Sequence, residues 1–118
     1  MALWKSWAVE DGRFDVQVAE LRGDLVDCVD LLQHAGEEHW ADWLRGTVTR
    51  LDAFDRRAFE HVLGAFGGMG SFNDLVLHPM SGHDLGESEI DVTNEKLARL
   101  RSSIYRTANE LRRELDRG

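Results

Sequence analysis

The sequence predicts a mainly all-α fold: a single four-helix bundle-like domain over residues 1–118, with a glycine-rich turn and a short extended segment before its last helix. Apolar residues recur at spacings of three and four along most of the chain, which is the period of an amphipathic helix. The only proline is Pro79, so long stretches are free to be helical. A chain of 118 residues can bury one hydrophobic core and suits one domain rather than two.

The first predicted helix runs from about Phe14 to Ala35, and Gly36 is placed to adopt the left-handed conformation that closes a helix. Residues 1–12 show no sustained period, and we interpret them as a flexible or docking arm. The arm carries Trp4 and Trp7, which either form an interface with a partner or pack back over the domain. The apolar face of this helix comprises Phe14, Val18, Leu21, Leu25, Cys28 and Leu32.

The second and third predicted helices follow directly. Glu37 and Glu38 are acids that suit the positive N-terminal end of the second helix, and the turn at residues 52–55 ends it. A shorter third helix starts at about Arg56. The inward residues are Trp40, Trp43 or Leu44, Val48 and Leu51 in the second helix, and Phe59, Val62, Leu63 and Phe66 in the third.

The connection to the last helix has a different composition. Three glycines in four residues, starting at Gly67, interrupt the helical pattern because glycine propagates a helix poorly. Residues 75–77 form a short extended stretch, and residues 78–92 resemble a loop. The last helix is predicted to start at Thr93 or Asn94, each a favourable N-cap. Its apolar face comprises Leu97, Leu100, Ile104, Ala108, Leu111 and Leu115.

Charge and composition restrict the partners and the compartment. A formal net charge of −8 repels phosphates, so we expect no nucleic-acid partner. Acids dominate residues 10–42, whereas bases dominate residues 96–117. No apolar run is long enough for a secretory signal or a membrane span, and the single cysteine, Cys28, forms no internal disulfide. These features predict a cytoplasmic protein that does not bind membranes.

The strongest candidate for a binding surface is an acidic stripe on the first predicted helix. Glu20, Asp24 and Asp27 fall at positions i, i+4 and i+7, and therefore share one face of the helix. Like charges at this spacing destabilise an isolated helix slightly, which favours a stripe kept to meet a basic partner. A solvated face that keeps the protein soluble is the alternative. The predicted partner-binding set is Glu20, Asp24, Asp27, Asp30, Glu37, Glu38 and Asp42.

The glycine-rich turn is the second candidate, either as a structural turn or as a ligand loop. Closely spaced glycines let backbone N–H groups converge on an anion, but no phosphate-loop or dinucleotide-binding pattern surrounds them. In the structural alternative, Met69 or Phe72 is buried beneath the turn. The residues of this candidate are Gly67, Gly68, Gly70, Ser71, Asn73 and Asp74.

The other chemistry-bearing residues form no recognised pattern. Two groups of histidines and acids occur, yet neither reproduces the spacing of a zinc site. Cys28 is expected to be a buried structural thiol, and Ser71 lacks the second glycine of a nucleophile elbow. We therefore expect no catalytic residue, no metal and no cofactor. The two groups, expected to be exposed, are His34, Glu37, Glu38 and His39, and then His78, His83, Asp84 and Glu87.

Residues 63–77 carry a resemblance to a family of short, uncharacterised bacterial proteins. They read Leu-Gly-Ala-Phe-Gly-Gly-Met-Gly-Ser-Phe-Asn-Asp-Leu-Val-Leu. In that family a helical N-terminal half leads into a Gly-Gly-Met-Gly-Ser-x-Asn-Asp segment, and a final helix rich in arginine and leucine follows. The resemblance extends over roughly residues 15–115. It implies an immunity protein, which is encoded beside a bacterial toxin and neutralises it.

The sequence thus predicts a small acidic protein-binding module rather than an enzyme. We expect an immunity or antitoxin-type inhibitor that blocks a basic toxin or enzyme through the acidic stripe. One alternative is a metal- or small-ligand-responsive regulatory domain, which would use the glycine turn and the loop around His78, His83 and Asp84. A homodimer formed through the long last helix is a third option.

Overall fold

Four helices build the part of the fold that the structure describes. The computed structural model describes residues 7, 9 and 12–117, and within them it contains no strand. Three short 3₁₀ turns lie in the connection between the third and fourth helices. The prediction of an all-α, four-helix bundle-like fold is confirmed. The helices are α1 (Gly12–His34), α2 (Glu38–Asp52), α3 (Arg57–Leu63) and α4 (Ile90–Arg117), and the 3₁₀ turns are Phe72–Asp74, Pro79–Ser81 and Glu87–Glu89.

The helices pack in a closed arrangement in which α1 and α3 each contact both α2 and α4. Gln17 on α1 donates a hydrogen bond to Glu110 near one end of α4. At the other end, His34 contacts Glu89 just before α4 begins. Since rising residue numbers on α1 meet falling numbers on α4, the two helices are antiparallel. The molecule is elongated, with principal extents of 53 × 27 × 20 Å.

A single cluster of buried apolar side chains runs between the helices, and Phe14, Phe59 and Leu111 are among its fully enclosed members. Each side chain of this size contributes about 1.5–3 kcal/mol when it is removed from water. Cys28 lies inside the same cluster, and burial raises the pKa of its thiol to about 12. The expectation of a buried thiol is confirmed. No helix in the described part of the chain has the length and apolar character needed to span a membrane.

The junction between α1 and α2 follows the prediction. Gly36 has a φ of +76°, the left-handed conformation that glycine adopts without steric cost. The N–H of Glu37 then donates to the carbonyl of Leu32 at 2.8 Å, which closes α1. The carboxylate of Glu37 accepts a hydrogen bond from the N–H of Trp40 at 3.2 Å and thereby caps the start of α2.

The predicted start of α4 at Thr93 or Asn94 is wrong, because the helix begins at Ile90. The preceding 3₁₀ turn leads straight into it, and the carboxylate of Glu89 accepts the N–H of Gly86 at 2.9 Å. Asn94 therefore lies inside the helix rather than at its cap, and its side chain is engaged in a tertiary contact described below. The third helix also ends earlier than its apolar pattern indicated, at Leu63.

The described part of the N-terminal arm packs back onto the domain. Trp7 is only 4% exposed. Its ring lies 6.1 Å from that of Phe14, 5.5 Å from that of Phe54 and 5.2 Å from that of Phe59. Of the two roles predicted for Trp7, these contacts show the one in which it packs back over its own domain. Trp4 lies outside the described residues. Phe54, in the turn between α2 and α3, has a φ of +55°, which a non-glycine residue rarely adopts.

Candidate functional site

The acidic stripe of α1 lies along its boundary with α4. Glu20, Asp27 and Asp30 are exposed, whereas Asp24 is half-buried and accepts a hydrogen bond from the hydroxyl of Ser103 at 2.6 Å. Within the described residues, no side-chain hydrogen bond or ion pair involves Glu20, Asp27 or Asp30. These three carboxylates are therefore exposed to solvent and without a side-chain partner, while Asp24 also helps to attach α1 to α4.

Asp27 and Asp30 border a groove of about 370 Å³ between the second half of α1 and the first turns of α4. Leu31 and Val92 provide its apolar surface, and Val92 is 59% exposed. A side chain with an apolar stem and a cationic end fits this arrangement, since its stem can cover carbon atoms while its charge meets the carboxylates. The remaining lining residues are His34, Thr93 and Lys96.

The two predicted acids within α2 are less open than those on α1. Glu38 and Asp42 both pair with the guanidinium of Arg45, at 3.8 Å in the case of Glu38. Exposed pairs of this kind contribute little to stability. These pairs do offset the negative charge of this part of the surface. The electrostatic potential at α2 is therefore less negative than at α1.

Glu37, also in the predicted partner-binding set, is largely buried. Its carboxylate is 15% exposed and lies 3.1 Å from Nε2 of His83, whose side chain is only 8% exposed. Nδ1 of His83 accepts the backbone N–H of His78 at 3.0 Å, so the Nε2 proton is the one donated to Glu37. The expectation that His83 is exposed is wrong, because this side chain attaches its loop to the α1–α2 junction. The described residues contain no group of three or more potential metal ligands.

Internal hydrogen bonds engage several polar groups of the glycine-rich turn. Gly70 has a φ of +81°, and its N–H donates to the carboxylate of Asp74 at 3.1 Å. The hydroxyl of Ser71 donates to the carbonyl of Gly67 at 2.8 Å and accepts the N–H of Asn73 at 3.3 Å. The Asp74 carboxylate thus occupies the place at Gly70 where an external anion would bind. Gly68 also contributes, since its carbonyl accepts the N–H of Ser71.

Phe72 is the side chain that the glycine-rich turn buries. It is fully enclosed, with its ring 5.5 Å from the rings of both Trp40 and Phe66. The guanidinium of Arg101 lies above it, 5.9 Å from the ring centre. Met69 is instead 98% exposed. Of the two side chains that the structural alternative named, the turn therefore buries Phe72 and leaves Met69 exposed.

Residues 75–77 are extended and lie along α4. The side-chain amide of Asn94 accepts the N–H of Leu77 at 2.9 Å and donates to its carbonyl at 2.8 Å. Arg101 donates to the carbonyls of Leu75 and Phe72, at 2.8 and 3.1 Å. This role of Asn94 and Arg101 was not predicted from the sequence. The two residues are seven positions apart and therefore lie on the same side of α4, beside its apolar face. This spacing was the sequence signal that could have indicated a shared role.

A polar cluster around His61 was also missed. Nδ1 of His61 lies 2.7 Å from the hydroxyl of the buried Thr47, and its ring stacks on that of Trp43 at 4.9 Å. A Cβ atom at Gly46 would lie 3.2 Å from both the ring of His61 and the guanidinium of Arg50, a close contact that favours glycine at this position of α2. Burial, together with the charge of Arg50, lowers the pKa of His61. The signal was the glycine itself, which disfavours a helix unless close packing requires it.

Part of the chain is similar to a known protein family. Residues 33–86 are similar to a family described as a domain of unknown function, DUF6966. No curated protein and no solved structure matches the chain. The matched residues include α2, α3 and the glycine-rich turn, but neither α4 nor most of α1. The open carboxylates of α1 thus lie outside the matched part, whereas residues 67–82 lie inside it.

Proposed function

We propose that the protein is a small acidic protein-binding module of the immunity type, which acts in the cytoplasm as a stoichiometric inhibitor of a basic bacterial toxin. The observation that supports it best is the set of open carboxylates Glu20, Asp27 and Asp30 on α1. Other acids of the predicted set are engaged with Ser103, His83 or Arg45.

The open carboxylates favour a partner whose binding cleft is cationic. The net charge of −8 attracts such a partner over a distance and accelerates encounter. Once the two proteins meet, a lysine or arginine side chain can enter the groove beside Asp27 and Asp30, with its stem on Leu31 and Val92. Inhibition then follows from occupation of the cleft, and we assign no catalytic residue to this protein.

The alternative function, a metal- or small-ligand-responsive domain, has less support. The N–H of Gly70 is taken by Asp74, and both ring nitrogens of His83 are engaged in internal hydrogen bonds. No contact in the described part of the chain favours a ligand over these internal partners.

A pull-down from the lysate of the native host, at low and high salt and with identification by mass spectrometry, tests the proposed function. We expect one basic protein to be recovered at low salt and to be lost as salt rises, because salt screens exposed charge pairs. Recovery that does not change with salt, or the absence of any basic protein at low salt, would argue against an acidic inhibitor.

A further inference from the structure

Lys96 brings a positive charge into the groove that Asp27 and Asp30 border. The three side chains line the same cavity of about 370 Å³, the two acids on its α1 wall and the lysine on its α4 wall. In the part of the chain that the structure describes, no side-chain hydrogen bond or ion pair involves Lys96. The proposed function assigns the two carboxylates to a cationic side chain of the partner but gives Lys96 no role.

The packing of α1 against α4 sets Lys96 opposite the two acids of the groove. Two contacts between the helices bracket this region: the hydroxyl of Ser103 donates to Asp24 at 2.6 Å, and Nε2 of His34 lies 3.3 Å from the carboxylate of Glu89. The two acids lie between these contacts on α1, and Lys96 lies between them on α4. The opposite charges therefore face each other from two helices, although they form no ion pair.

The charges of the groove leave an excess of one negative charge. The carboxylates of Asp27 and Asp30 and the ammonium of Lys96 are all exposed to solvent. His34, the remaining titratable group of the lining, is engaged with Glu89. A charge that an interface covers is costly unless it is paired. Since the flexible stem of a lysine lets its ammonium move to a nearby carboxylate, Lys96 can pair with one acid and leaves the other for the partner.

The apolar part of the groove indicates what surrounds the cation of the partner. Leu31 is buried and Val92 is 59% exposed, and both line the cavity. The stem of a lysine or arginine side chain covers one part of this apolar surface. An apolar residue next to that cation covers the remainder and removes Val92 from water.

We propose that Lys96 determines the specificity of the groove, which accepts a single cationic side chain flanked by apolar residues and disfavours two cations one helical turn apart. Lys96 neutralises one carboxylate when the partner covers the groove, and the cation of the partner neutralises the other. A second cation would be covered without a counter-charge. The inference rests on the proposed function and deepens it, because it states which kind of basic segment the open carboxylates select.

The test uses nuclear magnetic resonance titrations of the full chain with two alanine-rich helical peptides, each about four turns long. The first peptide carries one arginine flanked by leucines. The second has a further arginine four positions away, in place of a glutamine. We expect both peptides to shift the amides of Asp27, Asp30 and Lys96 in a saturable way, with affinities within about twofold of each other.

Two matched variants test the role of the lysine. Lys96→Met removes the ammonium and keeps an unbranched side chain, so a second carboxylate becomes open to the partner. The second arginine should then strengthen binding about fivefold. Arg106→Met makes the same change in net charge at an exposed position of α4 outside the groove, and should retain affinities within about twofold. An equal ratio of the two peptide affinities in both variants would overturn the proposal.

A third variant, Asp27→Asn with Asp30→Asn, separates this inference from the proposed function. Loss of both peptides in this variant, together with equal affinity ratios in Lys96→Met and Arg106→Met, would overturn the role of Lys96 while supporting the open carboxylates. Unchanged binding of both peptides to the asparagine variant, or the absence of saturable shifts in the wild type, would count against both.

Discussion

At Asn94, one side-chain amide supplies the hydrogen bonds that a neighbouring strand would otherwise make. It pairs with both the N–H and the carbonyl of Leu77, and also donates to the carbonyl of Ile90 on its own helix. Leu77 is fully buried, so its backbone groups need partners within the protein. The residue that the sequence offered as a helix cap is therefore the residue that positions the extended segment.

Replacing Asn94 with alanine should destabilise the protein by about 1–3 kcal/mol, because it leaves the polar groups of Leu77 without partners. The free energy of unfolding, measured by urea denaturation, checks this value. Glu95→Ala alters the exposed neighbour and should change stability by less than about 0.5 kcal/mol. Equal transition midpoints for the two variants would show that the contact with Leu77 contributes nothing.

The side chain of His61 should make the stability of the folded protein depend on pH. Burial lowers its pKa in the folded state, so the unfolded chain binds a proton more readily. Stability should be highest above the ordinary histidine pKa of about 6.5 and should fall as the pH drops below that value. His61→Gln should reduce this fall, as measured by urea denaturation between about pH 7 and 5. His39→Gln, at an exposed histidine, is the control, and an equal slope in wild type and His61→Gln would refute the assignment.

Among the elements, the helices were the most predictable from sequence. The positions of α1 and α2 follow from the 3.6-residue period and from Gly36, since both signals are local. The glycine-rich turn was also recognisable. The sequence did not indicate whether the turn buries Met69 or Phe72. That choice depends on contacts with Trp40 and Arg101, which are distant in sequence.

The same turn provides a matched pair of substitutions. Phe72→Ala should cost about 3–5 kcal/mol, since it removes a fully enclosed aromatic ring. Met69→Ala, three residues away and exposed, should cost less than about 0.5 kcal/mol. Thermal and urea unfolding of both variants would measure the difference. Similar losses at the two positions would contradict the role of Phe72 as the side chain that holds the turn.

At the scale of the whole molecule, antiparallel packing arranges the charges. The acid-rich first helix lies against the base-rich last helix, and Lys96 of α4 lines the groove that Asp27 and Asp30 border. The sequence indicated an acidic surface but not which carboxylates are open. Ser103 and His83 engage Asp24 and Glu37 from distant positions, so no local pattern indicated their pairing.

The affinity of the recovered basic partner for two charge-reversed variants, measured by titration calorimetry, tests the central claim most directly. Asp27→Lys with Asp30→Lys reverses the open carboxylates. Asp15→Lys with Asp116→Lys makes the same change in net charge at the opposite end of the molecule, where α1 begins and α4 ends. We predict that the first variant binds at least about tenfold more weakly and that the second changes affinity by less than about twofold. Equal affinities for the two variants would contradict a role for the α1 carboxylates in binding.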